Sequence, residues 1–238
     1  MKLLILKYGN EYILGMGDVI DCLSLICQIA KEYPNELIIF PCFAQYQQNI
    51  QSFLPVGINV KLEPIRDIAN HIPELITRYD TILLQNSDKY IKKNKLTGFT
   101  DIKGLYHLAG FDYEKRDEFC PISLRTWRYK GYVDSPSPNI AFIPEGGSRH
   151  FNGGEPYKID RKFVKGNLRQ VVPPQNTMML QWINTIEYAE EIHCHVTSWW
   201  RFIDKLRPHG KLFMHHYARE AGFKPEQFEF RLQWEQIT

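Results

Sequence analysis

The sequence predicts an α/β protein made of two units that face each other across a cleft. Short apolar runs alternate with segments of helical periodicity, which is the pattern of a parallel sheet with helices on both faces. The pattern stops at residues 131–138, which are rich in Pro and Ser, and it restarts at residue 139. We therefore expect an N-terminal unit at residues 1–130 and a smaller C-terminal unit at residues 139–238.

The first unit begins with an apolar run, a turn that contains glycine, and a helix with an apolar stripe at intervals of three to four residues. Residues 87–128 that follow the alternating part are less regular, with a solvated basic stretch and one short helix. The apolar runs predict strands at 3–6, 37–41, 58–62 and 81–84. The periodicity predicts a helix within 15–33, after the glycine turn, and helices at 44–53, 68–79 and 103–110.

The second unit repeats the alternation of strands and helices. Its strands are expected at 139–143, 168–172, 191–196 and 211–215, and its helices at 175–190 and 199–206. The carboxyl ends of parallel strands lie at one edge of a sheet, and ligands of such sheets bind there. The loops that follow the strands are therefore the places where functional residues are expected.

The bulk properties of the chain exclude several classes of protein. A net charge of +2, with both signs interspersed, gives no basis for nucleic-acid binding. No run of 18 apolar residues occurs, and the first apolar run is too short for a signal peptide. Five cysteines without a CxxC motif indicate reduced, buried thiols. We expect a cytoplasmic protein without a transmembrane segment, and peripheral contact with a membrane stays open.

The first turn does not carry a dinucleotide fingerprint. Gly15 and Gly17 give GxG, but Ile20 occupies the place of the third glycine. The second strand is followed by Cys42 and not by an acidic residue that would bind a ribose. No GK[ST] motif follows the turn, so a P-loop is also excluded, and no cofactor is predicted.

Asp18 has two interpretations, which the sequence leaves open. It precedes the apolar stripe of the first helix, where an N-cap contributes about 1 kcal/mol. An aspartate at this point of a strand–turn–helix unit also points away from the strand ends toward a ligand. There it could act as a general base.

A second group of candidates follows the first strand of the C-terminal unit. Two glycines allow close approach of the backbone to a ligand, and Arg suits a phosphate group geometrically. Arg161 lies in the same long loop as these residues, and the alternative is a plain loop with solvated charges. The candidate donor-binding residues here are Glu145, Gly146, Gly147, Ser148, Arg149 and Lys158.

A third group lies at the segment HCHVTSWWRF. Thr197 and Ser198 follow a buried strand as an N-cap pair, and a helix start binds anions. Trp199 and its neighbour either stack on a base or sugar or pack the helix on the sheet. The histidines of this strand fit no zinc spacing, so buried, hydrogen-bonded histidines are favoured and no metal site is predicted.

Three segments in this order resemble the heptosyltransferases, glycosyltransferase family 9 with the GT-B fold. GMGDVIDCLSLICQIAKEYP is similar to their N-terminal turn and helix. IAFIPEGGSRHF resembles the strand of their second domain that is followed by a phosphate loop, and AEEIHCHVTSWWRFIDKL resembles their late strand-to-helix motif. The resemblance implies two Rossmann-like units facing across a cleft, the second reduced in size. The N-terminal unit would hold the acceptor and the C-terminal unit the nucleotide sugar.

The resemblance also implies roles for single residues. Asp18 matches the catalytic base of the family, and Thr197 with Ser198 matches the turn that binds the pyrophosphate. Arg201 is a further donor-side position, although the family usually has His there. Val196 stands where the family has Asp, and Arg149 or Lys158 must replace the usual lysine of the phosphate loop.

The function implied is transfer of a sugar from a nucleotide-diphosphate sugar to a hydroxyl of a glycan or lipid-linked acceptor. The mechanism would be inverting and independent of metal, and the sequence leaves open whether the sugar is a hexose, heptose or pentose. Two alternatives remain: a non-catalytic protein that binds a nucleotide or glycan on a reduced GT-B frame, and a different α/β enzyme. No GxSxG or Cys-x5-Arg motif supports the latter.

Overall fold

The computed structural model describes most of the chain and divides it into two compact units. The described residues are 1–8, 12, 14–96, 100–126, 139–145, 158–174, 177–217 and 230–238. The units comprise residues 1–128 and 129–238. The predicted linker at 131–138 lies outside the described residues, and the predicted cleft between the units stays a prediction.

The first unit contains a four-stranded parallel sheet with the order β3-β2-β1-β4. Short 3-10 helices precede α2 at Ala44–Tyr46 and follow α5 at Tyr113–Lys115. In chain order the elements are β1 (Lys2–Tyr8), α1 (Met16–Glu32), β2 (Ile38–Phe43), α2 (Gln47–Phe53), β3 (Val60–Ile65), α3 (Ile68–Arg78), β4 (Asp80–Asn86), α4 (Asp88–Lys93), α5 (Thr100–Leu108) and α6 (Pro121–Leu124).

Both faces of this sheet are covered, as its apolar strands require. Leu3 and Ile5 of β1 pack in one cluster with Ile72 and Leu75 of α3. Leu4 and Leu6, which alternate with them, point to the other face and are also fully buried. On α5, the Tyr106 hydroxyl donates to the carbonyl of Asp21 at 2.9 Å and accepts the N–H of Leu25 at 3.2 Å, which fixes α5 against α1.

The second unit contains a five-stranded parallel sheet with the order β6-β5-β7-β8-β9. The α/β class predicted from the sequence is therefore confirmed in both units. A 3-10 helix lies at Arg161–Phe163, and another precedes α7 at Met179–Trp182. The elements are β5 (Ile140–Phe142), β6 (Arg169–Val171), α7 (Ile183–Tyr188), β7 (Glu191–Cys194), α8 (Ser198–Leu206), β8 (Lys211–His215) and β9 (Trp234–Ile237).

The structure corrects two expectations for this unit. In place of the continuous helix expected at 175–190, the structure has a 3-10 turn followed by the short helix α7. The apolar pattern did not distinguish the two, because a continuous helix and this pair of elements present apolar residues at similar spacing. Strand β9 was not expected, since it is short and lies at the sheet edge. It is held by Asp204, which is buried on α8. The Asp204 carboxylate accepts three N–H groups at 2.9–3.1 Å, from Arg231, Leu232 and the Trp234 indole.

Gly210 supplies a stability test for the second unit. A methyl group at this position would lie 2.2 Å from the backbone oxygen of Ala189, a contact that only movement of the chain could relieve. We expect Gly210→Ala to lower the free energy of unfolding by about 1–3 kcal/mol, as overpacked sites do. Gly166→Ala is the matched control, because nothing lies within 4 Å of its added methyl group. Equal denaturant midpoints for both variants would contradict the described packing.

Candidate functional site

The strand order places the candidate site of the second unit between β5 and β7. The chain leaves β5 toward β6 on one side and later returns to β7 on the other, so the order of the strands reverses between these two neighbours. Open α/β sheets bind ligands outside the carboxyl ends of strands at such a switch point. Glu145 follows β5 there, and the turn 195–197 follows β7.

Glu145 joins three parts of the chain at this point. Its carboxylate accepts the N–H of Ile159 at 2.8 Å and forms an ion pair with Nη1 of Arg161 at 2.9 Å. Its backbone carbonyl is 3.3 Å from Nε2 of His195, at the end of β7, and accepts a hydrogen bond when that nitrogen carries the proton. The Glu145 side chain is 14% exposed, so its carboxylate is largely withdrawn from water. Glu145 therefore connects the ends of β5 and β7 to the segment that carries Arg161.

Arg161 keeps part of its guanidinium available for a ligand. Nη1 donates to the carbonyl of Ile159 at 3.0 Å as well as contacting Glu145, while the side chain stays 37% exposed. Lys158, a predicted donor-binding residue, is exposed and directly precedes this segment. Two cations therefore lie on the chain next to Ile159, where the Glu145 carboxylate holds the backbone.

The start of α8 is the second part of the site. Thr197 is the N-cap by backbone position, as expected, but its hydroxyl makes no cap bond and instead lies 3.4 Å from the carbonyl of His195. Ser198 is half-buried at the first position of the helix. The first N–H groups of a helix lack partners inside the helix, and together they favour anions.

The aromatic residues of α8 pack within the unit. Trp199 is 6% exposed and lies edge-on to Phe142 of β5, with ring centroids 5.7 Å apart. Trp200 is also buried, and the guanidinium of Arg201 lies 4.8 Å from its ring centroid. The packing alternative therefore describes both tryptophans here, and stacking of Trp199 on a base stays a prediction.

The remaining donor-loop candidates are not covered by the structure. Gly146, Gly147, Ser148 and Arg149 lie outside the described residues. Their proposed contacts with phosphate stay predictions.

In the first unit the strand order reverses between β1 and β4, and α1 follows β1. The interpretation of Asp18 as the N-cap is wrong, because Gly15 occupies that position and Asp18 lies in the first turn of the helix. A methyl group on Gly15 would lie 3.3 Å from Oδ2 of Asp18, so the missing side chain leaves room beside the carboxylate. Burial raises the pKa of Tyr46, and the negative charge of Asp18 raises it further.

Lys7 and Asn86 were missed as candidates by sequence reasoning, although they lie at the carboxyl ends of the neighbouring strands β1 and β4. Lys7 is only 8% exposed, and its ammonium lies 3.9 Å from the ring centroid of Tyr12. Asn86 is fully buried at the end of β4, and its side chain accepts the N–H of Ser87 at 2.8 Å. The signal that could have identified them is a polar residue at the end of an apolar run, directly after Leu6 for Lys7 and one residue beyond Gln85 for Asn86.

A buried polar chain crosses the second sheet and was also missed. His193 of β7 lies 2.9 Å from His215 of β8, and its other ring nitrogen lies 3.1 Å from the carboxylate of Glu191. His215 in turn lies 3.1 Å from the hydroxyl of Tyr217. The expectation of buried, hydrogen-bonded histidines on this strand is therefore confirmed for His193. The contact between the two rings could not be identified, because they lie 22 residues apart, whereas Glu191 and Tyr217 are each two residues from the histidine they contact.

Two classes of feature are not found in the described part of the chain. No group of three or more His, Cys, Asp or Glu side chains there is arranged to hold a metal ion. Within the same residues, no helix has the length and apolar character needed to cross a membrane.

Solved structures similar to this chain include two of the E. coli heptosyltransferase WaaC. The structure with ADP-2-deoxy-2-fluoro heptose is 10% identical, with a TM-score of 0.46, covering 96% of this chain and 92% of that one. The structure with ADP is also 10% identical, with a TM-score of 0.47, covering 100% and 92%. At 10% identity the likeness is one of fold alone. No family model and no curated protein matches the chain.

The histidine pair predicts how stability depends on pH. Burial lowers the pKa of His193 from 6.5, and burial with the charge of His193 lowers the pKa of His215 to about 3. The unfolded chain therefore binds protons below pH 6.5 that the folded chain does not bind. The free energy of unfolding should fall between pH 6.5 and 5, by up to about 1.4 kcal/mol per pH unit for each histidine.

Denaturant unfolding at pH 7, 6 and 5, together with ring ¹⁵N shifts, checks this expectation above the range where most carboxylates titrate. The charged groups that face the pair are Glu191, Arg161, Asp160, His195 and His216. The His215 ring should stay neutral throughout, and the His193 ring should begin to titrate only below pH 6.5. Titration of either ring near pH 6.5 with constant stability would contradict the burial of the pair.

Proposed function

We propose that the protein is a glycosyltransferase that moves a sugar from a nucleotide-diphosphate sugar to a hydroxyl of a glycan or lipid-linked acceptor. The observation that carries the proposal is the switch point of the second unit. Lys158, Arg161 and the start of α8 belong to segments that meet there through Glu145. Cations and free N–H groups beside one strand edge suit a diphosphate.

In the proposed reaction Asp18 acts as the general base of the first unit. Its carboxylate takes the proton of the acceptor hydroxyl as the oxygen attacks the anomeric carbon of the sugar. The bond between that carbon and the diphosphate oxygen breaks, and the diphosphate leaves with the electron pair. One base and a single displacement invert the configuration at the anomeric carbon.

The second unit stabilises the charge that develops on the leaving diphosphate. Lys158 and Arg161 supply positive charge, and the N–H groups at Thr197 and Ser198 supply fixed dipoles. Arg149, at the loop after β5, is proposed to contribute in the same way. In this proposal protein groups provide the stabilisation, and the mechanism is independent of metal.

Binding of nucleoside diphosphates tests the donor half of the proposal. We expect one of UDP, GDP, CDP and ADP to raise the free energy of unfolding by about 2.7 kcal/mol at 100 times its dissociation constant. Thermal unfolding with each nucleotide measures the effect, and the matching nucleoside without phosphate is the control. No stabilisation by any of the four would count against a nucleotide-sugar donor.

Replacement of Asp18 tests the catalytic half. Asp18→Asn should reduce sugar transfer by a factor of about 100 or more, as loss of a general base does, and leave nucleotide binding unchanged. Asp67→Asn is the matched control, because Asp67 is a true N-cap, whose carboxylate accepts the N–H of Asn70 at 3.3 Å on α3. It should change stability but not transfer.

The same pair of variants separates the enzyme from the non-catalytic alternative. If Asp18→Asn only lowers stability, as Asp67→Asn does, the carboxylate acts on the helix start and not on the acceptor. Nucleotide binding without transfer by the wild-type protein, across a panel of sugar donors, would favour a binding protein.

A further inference from the structure

Four side chains of the second unit form one continuous line of hydrogen bonds. Oε2 of Glu191 is 3.1 Å from Nε2 of His193, and Nδ1 of His193 is 2.9 Å from Nε2 of His215. Nδ1 of His215 is 3.1 Å from the hydroxyl of Tyr217. Both histidines are fully buried, whereas Tyr217 is 41% exposed. The line therefore runs from the start of β7 to the surface beyond the carboxyl end of β8.

Only one arrangement of protons satisfies every member of this line with neutral rings. The ionised carboxylate of Glu191 only accepts, so His193 carries its proton on Nε2 and accepts at Nδ1. His215 must then donate from Nε2 and accept at Nδ1. Tyr217 donates its hydroxyl proton to that nitrogen. The direction of all three hydrogen bonds follows from the charge at the buried end.

Both ends of the line hold the same short segment of backbone. The N–H of Lys165 donates to Oε2 of Glu191 at 3.1 Å, and the N–H of Asp160 donates to the Tyr217 hydroxyl at 2.9 Å. Between these two amides, the ring of Phe163 lies 5.6 Å from that of His215. The sheet thus fixes residues 160–165 at two amides and at one aromatic contact.

Arg161 lies between the two fixed amides. Its position depends on this segment at one end and on the Glu145 carboxylate at the other. A long cationic side chain loses less conformational entropy on binding an anion when its backbone is already held. The buried line therefore has a consequence at the strand edge through the backbone that carries Arg161.

We propose that Glu191, His193, His215 and Tyr217 form a positioning network that holds residues 159–165 so that Arg161 meets the diphosphate of the donor. This inference rests on the proposed function for the ligand, but the network itself is defined by its contacts. Its members are positioning residues, and Arg161 is the residue in contact with the ligand.

Tyr217→Phe removes one hydroxyl from the exposed end and leaves the aromatic ring in place. We expect it to weaken binding of the stabilising nucleoside diphosphate about threefold to tenfold, measured by calorimetry, because the Asp160 amide loses its acceptor. Hydrogen exchange at the Asp160 amide should become faster. Tyr188→Phe is the matched control, since Tyr188 is 58% exposed on α7, and it should change neither quantity.

A second measurement reports on the network without a ligand. Ring ¹⁵N spectra of the wild-type protein should show both His193 and His215 protonated at Nε2 alone at pH 7. A proton on Nδ1 of either ring would overturn the network as described. Unchanged affinity and unchanged exchange at Asp160 in Tyr217→Phe would overturn it as well.

The two proposals fail in different ways. If the wild-type protein binds no nucleoside diphosphate, the proposed function fails, and the network is judged by the exchange rate and the ring spectra. If nucleotide binds equally well to Tyr217→Phe and to the wild-type protein, the positioning role fails while the function stands.

Discussion

The ion pair between Glu145 and Arg161 is the interaction on which the candidate site of the second unit depends. A carboxylate that is 14% exposed needs partners, and Glu145 has them in the N–H of Ile159 and the guanidinium of Arg161. Its backbone carbonyl meets His195 at the end of the neighbouring strand. Removal of the carboxylate would leave a cation and an amide without their acceptor. The contact therefore keeps the ends of β5 and β7 and the segment 159–161 together.

The histidines extend this arrangement through the sheet. Burying a polar group costs free energy unless each of its hydrogen-bonding atoms has a partner. The line of hydrogen bonds supplies all of these partners only when β7 and β8 are paired in one register. His193 stacks on Phe213 at 4.6 Å, so the same ring serves both packing and hydrogen bonding. The line therefore fixes the alignment of β7 with β8. The positions of the residues that follow the carboxyl ends of these strands depend on this alignment.

Local patterns were predictable from the sequence, and contacts between distant residues were not. The predicted strand at 211–215 matches β8. An apolar run bounded by Gly210 and polar residues is sufficient to predict it. The helix expected at 175–190 is broken, since a 3-10 turn and a short helix share the same apolar spacing. Of the two interpretations of Asp18, the N-cap is wrong, because Gly15 occupies that position, and the general base stays a prediction. The partners of Glu145 lie 14, 16 and 50 residues away, so no local pattern reveals them.

The most direct test of a diphosphate site at the β5–β7 switch point is a crystal structure of the protein with the nucleoside diphosphate that stabilises it most. We predict that the diphosphate oxygens lie within hydrogen-bonding distance of the first N–H groups of α8 and of the Arg161 guanidinium. A nucleotide bound in the first unit, or bound in the second unit away from the carboxyl ends of β5 and β7, would contradict the account.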